Sequence, residues 1–317
     1  MHASFGIDQK ASGEECAMHS FDGRRFYWTI EGNDVPNSIK SFLQDKQFSR
    51  RSLANLRSSG LVLVNEQQVE LSYWLEAGDR LVIALPEVIS QSMKPNAGKI
   101  EICYEDDYLL VVNKPAGLLT IPSRVENDDS LAQRVLAYYQ QIELKSTIHV
   151  LTRLDKDTSG LVLIAKERHT QYLLGKASHV RMYYAIVSGR PAEDVFSIEQ
   201  PIRKCTDSII KREVHEDGKF ARTHVEVVKT NGQYSLVKLD LDTGRTHQIR
   251  VHMASIDCPL LGDTLYGGES IFDDDAQMLH AGELRFVHPY SHEEIIITAK
   301  YPQKFADVLR AKLYNND

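Results

Sequence analysis

The residue types best suited to chemistry fall in one short segment of the 317-residue sequence, around Asp155. This aspartate follows Arg153, precedes a Thr-Ser-Gly turn at 158–160, and leads into the apolar run Leu161–Ala165. A carboxylate beside a buried strand is expected to be partly buried itself, and such a group needs a partner. The segment alone fits either a site carboxylate with a charged partner, or an Asx-type turn or structural ion pair.

A second segment, TGRTHQIRVH at 243–252, combines a turn glycine with two arginines and two histidines. It predicts a helix that starts near Arg245 or Thr246 and ends at Ser255, with His247 and Arg250 on one face. The other face is apolar and can anchor the helix: Ile249, Met253 and Ile256. Basic groups near a helix N-terminus suit an anion site, and the alternative is a solvated polar face.

Two further segments are ambiguous when each is taken alone. NKPAGLLTIP at 113–122 places proline and glycine directly after an apolar strand, which fits a loop that approaches a ligand or an ordinary strand-ending turn. RMYYAIVSG at 181–189 carries adjacent tyrosines, Tyr183 and Tyr184, which point to opposite sides of a strand. Either tyrosine can be plain core packing.

The elements that must position these residues are mostly strands. Short runs rich in Val, Ile, Tyr and Thr predict strands at 100–104, 109–113, 161–166, 183–187, 224–229, 236–241, 284–287 and 295–298. Helical patterns lie at 130–140, 168–178 and 246–255. Because strands outnumber helices and do not alternate regularly with them, we expect an α+β domain on a mixed, largely antiparallel sheet.

A smaller α+β unit precedes this domain. Its predicted elements are a strand at 26–30, helices at 38–45 and 49–59 capped by Ser38 and Ser49, and strands at 61–65 and 81–85. We therefore predict a leader at 1–25, the small domain at 26–86, a linker at 87–98, the larger domain at 99–305 and a C-terminal tail at 306–317.

Composition restricts the class of protein. The net charge is -7, which by itself disfavours a nucleic-acid partner, but residues 38–65 carry five basic side chains against one acidic. No apolar stretch approaches the ~20 residues of a membrane helix, and no secretory signal pattern opens the chain. The four cysteines are scattered without a CxxC motif, so we expect no disulfide framework or clustered zinc site, and a cytoplasmic location.

Taken together, the segments closely resemble the RluA-type family of RNA pseudouridine synthases. The matching text is NKPAGLLTIPS, RLDKDTSGLVLIAK, RMYYAIVSG, GKFART, TGRTHQIRVHM, PLLGDTLYG and LHAGELRFVHP, within residues 99 to about 301. Two positions depart from the family pattern: Thr152 stands where His usually precedes Arg-Leu-Asp, and Arg181 stands where Lys is frequent. The N-terminal unit resembles an S4-type RNA-binding module.

The family resemblance implies an isomerisation of uridine in RNA to its C-glycoside, without a cofactor or a metal. It implies that Asp155 is the catalytic aspartate, acting as an ionised nucleophile or general base, that Arg250 pairs with it, and that Tyr183 stacks on the target base. The target nucleotide must leave its stack to react. Residues expected to contact RNA are Arg153, Arg245, His247, Lys219 and Arg222, together with Arg50, Arg51 and Arg57 of the S4-like unit.

The expected partner is RNA. The resemblance favours large-subunit ribosomal RNA of 23S type, with transfer RNA as the alternative. The expected assembly is a monomer without membrane contact. Two other functions remain open at this stage. LDKDT at 154–158 superficially matches the nucleophile loop of magnesium-dependent phosphotransferases of haloacid-dehalogenase type. A non-catalytic RNA-binding or ribosome-assembly protein would also carry an S4-like unit.

Overall fold

The computed structural model describes residues 24–35, 37–86, 93–123, 129–177, 179–271 and 276–314. Residues 24–86 form an N-terminal unit in which two helices pack on small antiparallel sheets. Its elements are β1 Arg24–Thr29, β2 Asn37–Ser38, α1 Ile39–Asp45, α2 Arg50–Ser59, β3 Leu61–Val64, β4 Gln67–Gln68, β5 Trp74–Leu75 and β6 Arg80–Leu85. The main sheet runs β1-β6-β3-β4, and β2 pairs with β5.

Both N-terminal helices begin where the capping serines predict. The Ser38 hydroxyl accepts a hydrogen bond from the Ser41 amide at 3.3 Å, and the Ser49 hydroxyl accepts one from the Ser52 amide at 3.1 Å. Each bond satisfies an amide that the first helical turn leaves without a partner, which is why serine favours this position. The sequence therefore determines these two helix starts locally.

The larger body comprises the following strands and helices in chain order: β7 Glu101–Glu105, β8 Leu109–Lys114, α3 Leu131–Gln141, β9 His149–Val150, β10 Ser159–Ala165, α4 Arg168–Lys176, β11 His179–Ser188, β12 Val195–Glu199, β13 Ile202–Lys204, β14 Arg212–Val214, β15 Arg222–Thr230, β16 Tyr234–Leu241, α5 Gln248–Ser255, β17 Leu279–Val287, β18 Glu294–Thr298 and α6 Gln303–Leu313. Ten strands form one sheet in the order β12-β15-β16-β11-β17-β10-β8-β7, with β18 beside β17 and β9 beside β10.

Within the described strands, β10 and β17 pair in parallel and the other strand pairs run antiparallel. The expected mixed, largely antiparallel α+β fold is thus confirmed. Gly160 opens the parallel contact with φ +116°, and a Cβ atom there would lie 2.3 Å from the Ala281 carbonyl oxygen. Only glycine allows β10 to approach β17 this closely while adopting that backbone conformation.

Alternating side chains of the central strands fill two apolar layers. On β10, Val162 and Ile164 join one cluster with α3 and α5, while Leu161 and Leu163 join another on the opposite side. This near-continuous apolar strand is what burial of both sheet faces requires. The central strands therefore hold the loop before β10, which contains Asp155, against a rigid support.

The N-terminal unit docks on the larger body through aromatic rings. Phe48 stacks on His169 at a centroid distance of 3.7 Å, and Phe26 lies 5.9 Å from the same imidazole. Tyr290, buried on the larger body, belongs to the same apolar cluster as Phe26 and the core of the N-terminal unit. The two units thus share buried surface.

Two predicted boundaries need correction. Residue 306 does not begin a tail, because α6 continues through it and buries Phe305, Val308 and Leu313 in an apolar cluster against β16. The predicted leader overlaps β1, which begins at Arg24, and its residues 1–23 lie outside the described part, as do residues 87–92 of the predicted linker.

Candidate active site

Asp155 lies in the loop before β10, at a cleft of about 80 Å³. Its side chain keeps 30% of its surface exposed. Nη1 of Arg250 lies 3.6 Å from Oδ2, and Nε2 of His247 lies 3.8 Å from the same oxygen. Both distances exceed a good hydrogen bond, so the contacts are electrostatic and the two groups approach the carboxylate from one edge.

The segment at 114–120 holds the backbone on both sides of Asp155. The Thr120 hydroxyl donates to the Leu154 carbonyl at 2.7 Å and accepts from the Leu154 amide at 3.1 Å. Nζ of Lys114 donates to the Lys156 carbonyl at 2.8 Å. The proline- and glycine-containing segment that the sequence left ambiguous therefore fixes the loop of the candidate catalytic aspartate.

Lys114 is an unusual buried charge. Its side chain is fully buried, and Nζ also donates to the carbonyls of Pro115 at 2.9 Å and Leu118 at 2.7 Å. Burial lowers the pKa of Lys114 to about 7, while the carboxylates of Asp157 and Asp155 act in the opposite direction. Three carbonyl acceptors match the three donors of an ammonium group, so this geometry favours the charged form.

Helix α5 supplies both basic groups that face Asp155. The helix begins at Gln248 and not at Arg245 or Thr246, because His247 is its N-cap residue with φ 57°, in the left-handed region. The predicted apolar anchor forms, since Ile249 and Met253 are buried in the core. A left-handed backbone at the N-cap turns the preceding loop sharply, which is why the sequence pattern predicts a helix start that is too early.

Arg250 makes its strongest contact with Asp263. Its Nε and Nη2 atoms each lie 2.7 Å from one Asp263 carboxylate oxygen, and both side chains are buried. Burial lowers the pKa of Arg250, but the hydrogen bonds and charge of Asp263, with the charge of Asp155, outweigh it and raise the pKa above its ordinary value. The structure thus adds a second carboxylate to the predicted Asp155–Arg250 pair.

Tyr266, three residues after Asp263, contacts both basic groups. Its hydroxyl lies 2.8 Å from Nδ1 of His247, and its ring centroid lies 5.0 Å from Cζ of Arg250. Burial lowers the pKa of His247, Asp155 opposes this, and the neighbouring guanidinium of Arg250 adds to it. The balance favours a neutral imidazole beside Asp155.

Tyr183 lines the same cleft from β11. The strand pairing with β17 shifts register between Met182 and Tyr183, an irregularity of the kind often found beside active sites. Burial raises the pKa of the Tyr183 phenol, and the nearby Arg181 guanidinium acts in the opposite direction. Arg181 lines the cleft as well.

The predicted RNA-contacting residues divide into three groups. Arg153 and Arg245 are exposed and line the cleft with His247. Lys219 is exposed but does not line it, and Arg222 is engaged by two carboxylates, Glu199 at 3.0 Å and Asp242 at 3.2 Å. The third group, on α2, is exposed on the face opposite its buried residues: Arg50, Arg51 and Arg57.

One of the α2 arginines lines a second cavity, which lies between the two units. This cavity has a volume of about 420 Å³, and Arg51 contributes to its wall with Lys145 and Arg168 of the larger body. Phe26 and Leu144 give it an apolar part. The α2 arginines and the Asp155 cleft are therefore separate basic regions.

Thr152, which stands where the family usually has histidine, is bonded to β10. The side chain is 2% exposed, and its hydroxyl accepts a hydrogen bond from the Leu163 amide at 2.9 Å. The adjacent Leu151 amide bonds to the Leu163 carbonyl at 2.9 Å, so the loop is tied to β10. Threonine here serves the strand backbone.

Four residues of this site had no role predicted from sequence: Lys114, Thr120, Asp263 and Tyr266. All of them lie in segments already quoted, NKPAGLLTIP and PLLGDTLYG, and a buried polar residue beside a turn was the available signal.

Within the described ranges, no group of three or more His, Cys, Asp or Glu side chains is placed to hold a metal ion. In the same part of the chain, no helix has the length and apolar character needed to cross a membrane.

Comparisons with known proteins match this chain and its fold to RNA pseudouridine synthases. Residues 108–255 match the family model of RNA pseudouridylate synthase. Among solved structures, human RNA pseudouridylate synthase domain containing 1 is similar with a TM-score of 0.54 and 25% identity, over 66% of this chain and 87% of that chain. The class defined is an isomerase built on the pseudouridine synthase fold.

Sequence relatives are closer. The chain is 37% identical over 281 residues to the uncharacterized RNA pseudouridine synthase YjbO of Bacillus subtilis (strain 168), covering 87% of this chain and 99% of that relative. It is 33% identical over 298 residues to ribosomal large subunit pseudouridine synthase D of Vibrio cholerae serotype O1, covering 88% of this chain and 91% of the relative. The chain belongs to the RluA-type family of RNA pseudouridine synthases, and the phosphotransferase alternative is wrong.

Proposed function

We propose that this RNA pseudouridine synthase isomerises its target uridine with Asp155 as the ionised nucleophile or general base, Arg250 as its charge partner and Tyr183 as the platform for the base. The observation that supports this most is the approach of Arg250 and His247 to one oxygen, Oδ2, of a partly exposed carboxylate. Because both basic groups approach Oδ2, the proposal assigns Oδ1 to the substrate.

The reaction conserves atoms and electrons. The N1–C1′ glycosidic bond breaks, the uracil turns, and a C5–C1′ bond forms. The C5 proton leaves to solvent through a general base, and N1 gains a proton. No electron acceptor or external group takes part, so the side chains of the cleft supply proton transfer, charge stabilisation and orientation.

Entry of the target nucleotide requires movement of side chains at the cleft mouth. The cleft volume of about 80 Å³ is well below the ~300–1000 Å³ of pockets that enclose a whole ligand. Arg153 and Arg245 are exposed arginines of the lining, and their long side chains can swing out to contact the displaced backbone. Extrusion of a base costs a few kcal/mol, which phosphate contacts by these arginines can offset.

The proposed substrate is large-subunit ribosomal RNA, with transfer RNA as the alternative. Relatives named for the ribosomal large subunit support the first, because they align along most of this chain.

We further propose that the N-terminal unit is an S4-like RNA-binding domain whose contacts come from Arg50, Arg51 and Arg57. The protein is proposed to act as a monomer in the cytoplasm, where unpaired cysteines such as Cys205 and Cys258 persist.

The catalytic assignment is tested with Asp155→Asn, which keeps the shape of the side chain and removes its charge. RNA transcribed with C5-tritiated uridine reports turnover through release of tritium. We expect no release above background with Asp155→Asn and unchanged RNA affinity. The matched control, Asp257→Asn, removes an exposed carboxylate and should keep wild-type release. Wild-type turnover of Asp155→Asn would overturn the assignment.

The RNA-binding assignment needs a different variant. Deletion of the N-terminal unit would expose the aromatic surface around His169, so replacing Arg50, Arg51 and Arg57 by glutamine is the cleaner change. We expect weaker RNA binding and a shallower dependence of affinity on salt, since fewer phosphates are neutralised. Turnover at saturating RNA should not change. Equal affinity and equal salt dependence would reject the S4-like assignment.

A further inference from the structure

The segment at 262–268 packs beside α5 and is held in one conformation by close backbone approaches. A Cβ atom on Gly262 would lie 2.2 Å from the Ala276 carbonyl oxygen, and one on Gly268 would lie 2.0 Å from the Leu260 carbonyl oxygen. The Asp263 carbonyl also accepts from the Gly268 amide at 2.8 Å. The backbone that carries Asp263 and Tyr266 is therefore pre-organised.

Asp263 occupies one edge of the Arg250 guanidinium completely. Its two oxygens accept from Nε and Nη2, both at 2.7 Å, and the carboxylate is 1% exposed. This fork fixes the guanidinium plane, and the atom left over, Nη1, is the one that faces Asp155 at 3.6 Å. At that distance Asp155 alone gives Arg250 no directional hydrogen bond.

Tyr266 fixes the second group that faces Asp155. Its hydroxyl accepts from the Arg212 backbone amide at 2.9 Å and lies 2.8 Å from Nδ1 of His247, so the phenolic proton is available to donate to that nitrogen. A donor at Nδ1 places the proton of a neutral imidazole on Nε2. Nε2–H is then the group directed at Oδ2 of Asp155.

We propose that Asp263 and Tyr266 are positioning residues of the active site: Asp263 fixes the Arg250 guanidinium, and Tyr266 fixes the His247 tautomer, so that both present an N–H to one oxygen of Asp155. The inference rests on the proposed role of Asp155. It assigns a task to the GDTLYG segment, for which the sequence indicated only family resemblance.

A second consequence concerns charge. Arg250 faces two carboxylates, and the one it binds in a fork is Asp263. The Asp263 carboxylate therefore already balances most of the guanidinium charge. Asp155 is oriented by Arg250 but does not form a hydrogen-bonded ion pair with it. A nucleophile or base with an unshared oxygen is better suited to attack than one closed in a bidentate pair.

The test uses the full chain and Asp263→Asn, with Asp263→Glu as the conservative variant and Asp257→Asn as the matched control on the surface. We expect kcat for tritium release to fall on the order of 100-fold with KM for RNA nearly unchanged, because a misplaced partner impairs chemistry more than binding. Asp263→Glu should recover part of the loss. In an Arg250→Lys background, which lacks the fork, Asp263→Asn should add little.

A readout without substrate accompanies the kinetics. Proton exchange at Nε of Arg250, followed by nitrogen-15 NMR, should be slow in the wild-type protein and fast in Asp263→Asn. Should that variant not fold, Asp263→Glu carries the test of Asp263 through the same exchange measurement. Tyr266→Phe tests the His247 half of the proposal: it keeps the ring under Arg250, frees Nδ1 of His247, and should lower kcat about tenfold.

The outcomes separate the two claims. Wild-type kcat in Asp263→Asn, additive losses in the Arg250→Lys background, or unchanged exchange at Arg250 would each overturn the positioning role, even if Asp155→Asn is inactive. An active Asp155→Asn together with fast exchange at Arg250 in Asp263→Asn would refute the proposed function of Asp155 and leave the positioning of Arg250 standing. Wild-type turnover of Tyr266→Phe would reject the role of Tyr266.

Discussion

Mild acid should weaken the attachment of the N-terminal unit through one histidine. His169 is 2% exposed, stacks on Phe48, and its Nδ1 has no hydrogen-bond partner in the described structure. Burial lowers the pKa of His169 from 6.5 to about 4. The nearby carboxylate of Glu167 is occupied by the amides of His169 and Thr170, so it does not compensate a ring proton.

The direction and magnitude of the change in stability follow from the difference between the pKa of His169 in the folded and in the unfolded protein. Between pH 4 and 6.5 the unfolded chain binds a proton at His169 that the native protein does not, so stability rises with pH across this window. The contribution is fully present above pH 6.5 and is lost as pH falls towards 4. A pKa difference of about 2.5 corresponds to a loss of about 3 kcal/mol in the free energy of unfolding.

The measurement is urea unfolding of the wild-type protein and of His169→Phe at intervals from pH 4 to 7.5. Phenylalanine keeps the stack on Phe48 and carries no titrating nitrogen, so the variant should lose about 3 kcal/mol less than the wild type over this range. His292→Asn, at an exposed histidine, should track the wild type. Parallel pH curves for His169→Phe and wild type would refute the reasoning.

Two further substitutions address the Asp155 loop. Lys114→Met leaves three carbonyls without their donor, at about 1–3 kcal/mol each, and also removes a buried charge whose penalty is about 5 kcal/mol. Because these effects oppose each other, the free energy of unfolding in urea should change by no more than about 4 kcal/mol. Tritium release should fall strongly because the Lys156 carbonyl, next to Asp155, loses the hydrogen bond from Lys114. Retained turnover would contradict this. Thr152→Val should lower the free energy of unfolding by about 1–3 kcal/mol, and Thr152→Ser by less, since valine leaves the Leu163 amide without its acceptor. Equal stability of the valine and serine variants would count against that bond.

Prediction from sequence succeeded where the signal is local. Strand periodicity, turn residues and capping serines act within a few residues, and the expected strands and both capped helices occur. It failed at α6, although Phe305 and Val308 recur at helical spacing, because the burial of this helix against β16 depends on the tertiary fold. It also missed the short strands β12 to β14, whose exposed residues, such as Val195, weaken the alternating pattern.

The residues around Asp155 also divide into those that the sequence identifies and those that only the tertiary structure reveals. By itself the sequence determined the element types, the α+β class and, through motif resemblance, which aspartate, arginine and tyrosine belong to the site. Only the tertiary structure decided that Asp263 binds Arg250 in a bidentate pair and that Phe48 stacks on His169. The same holds for the hydrogen bonds by which Lys114 and Thr120 hold the Asp155 loop. The physical reason is that buried charges and rings take partners from whatever the fold brings within hydrogen-bond or contact distance, and those partners lie far apart along the chain.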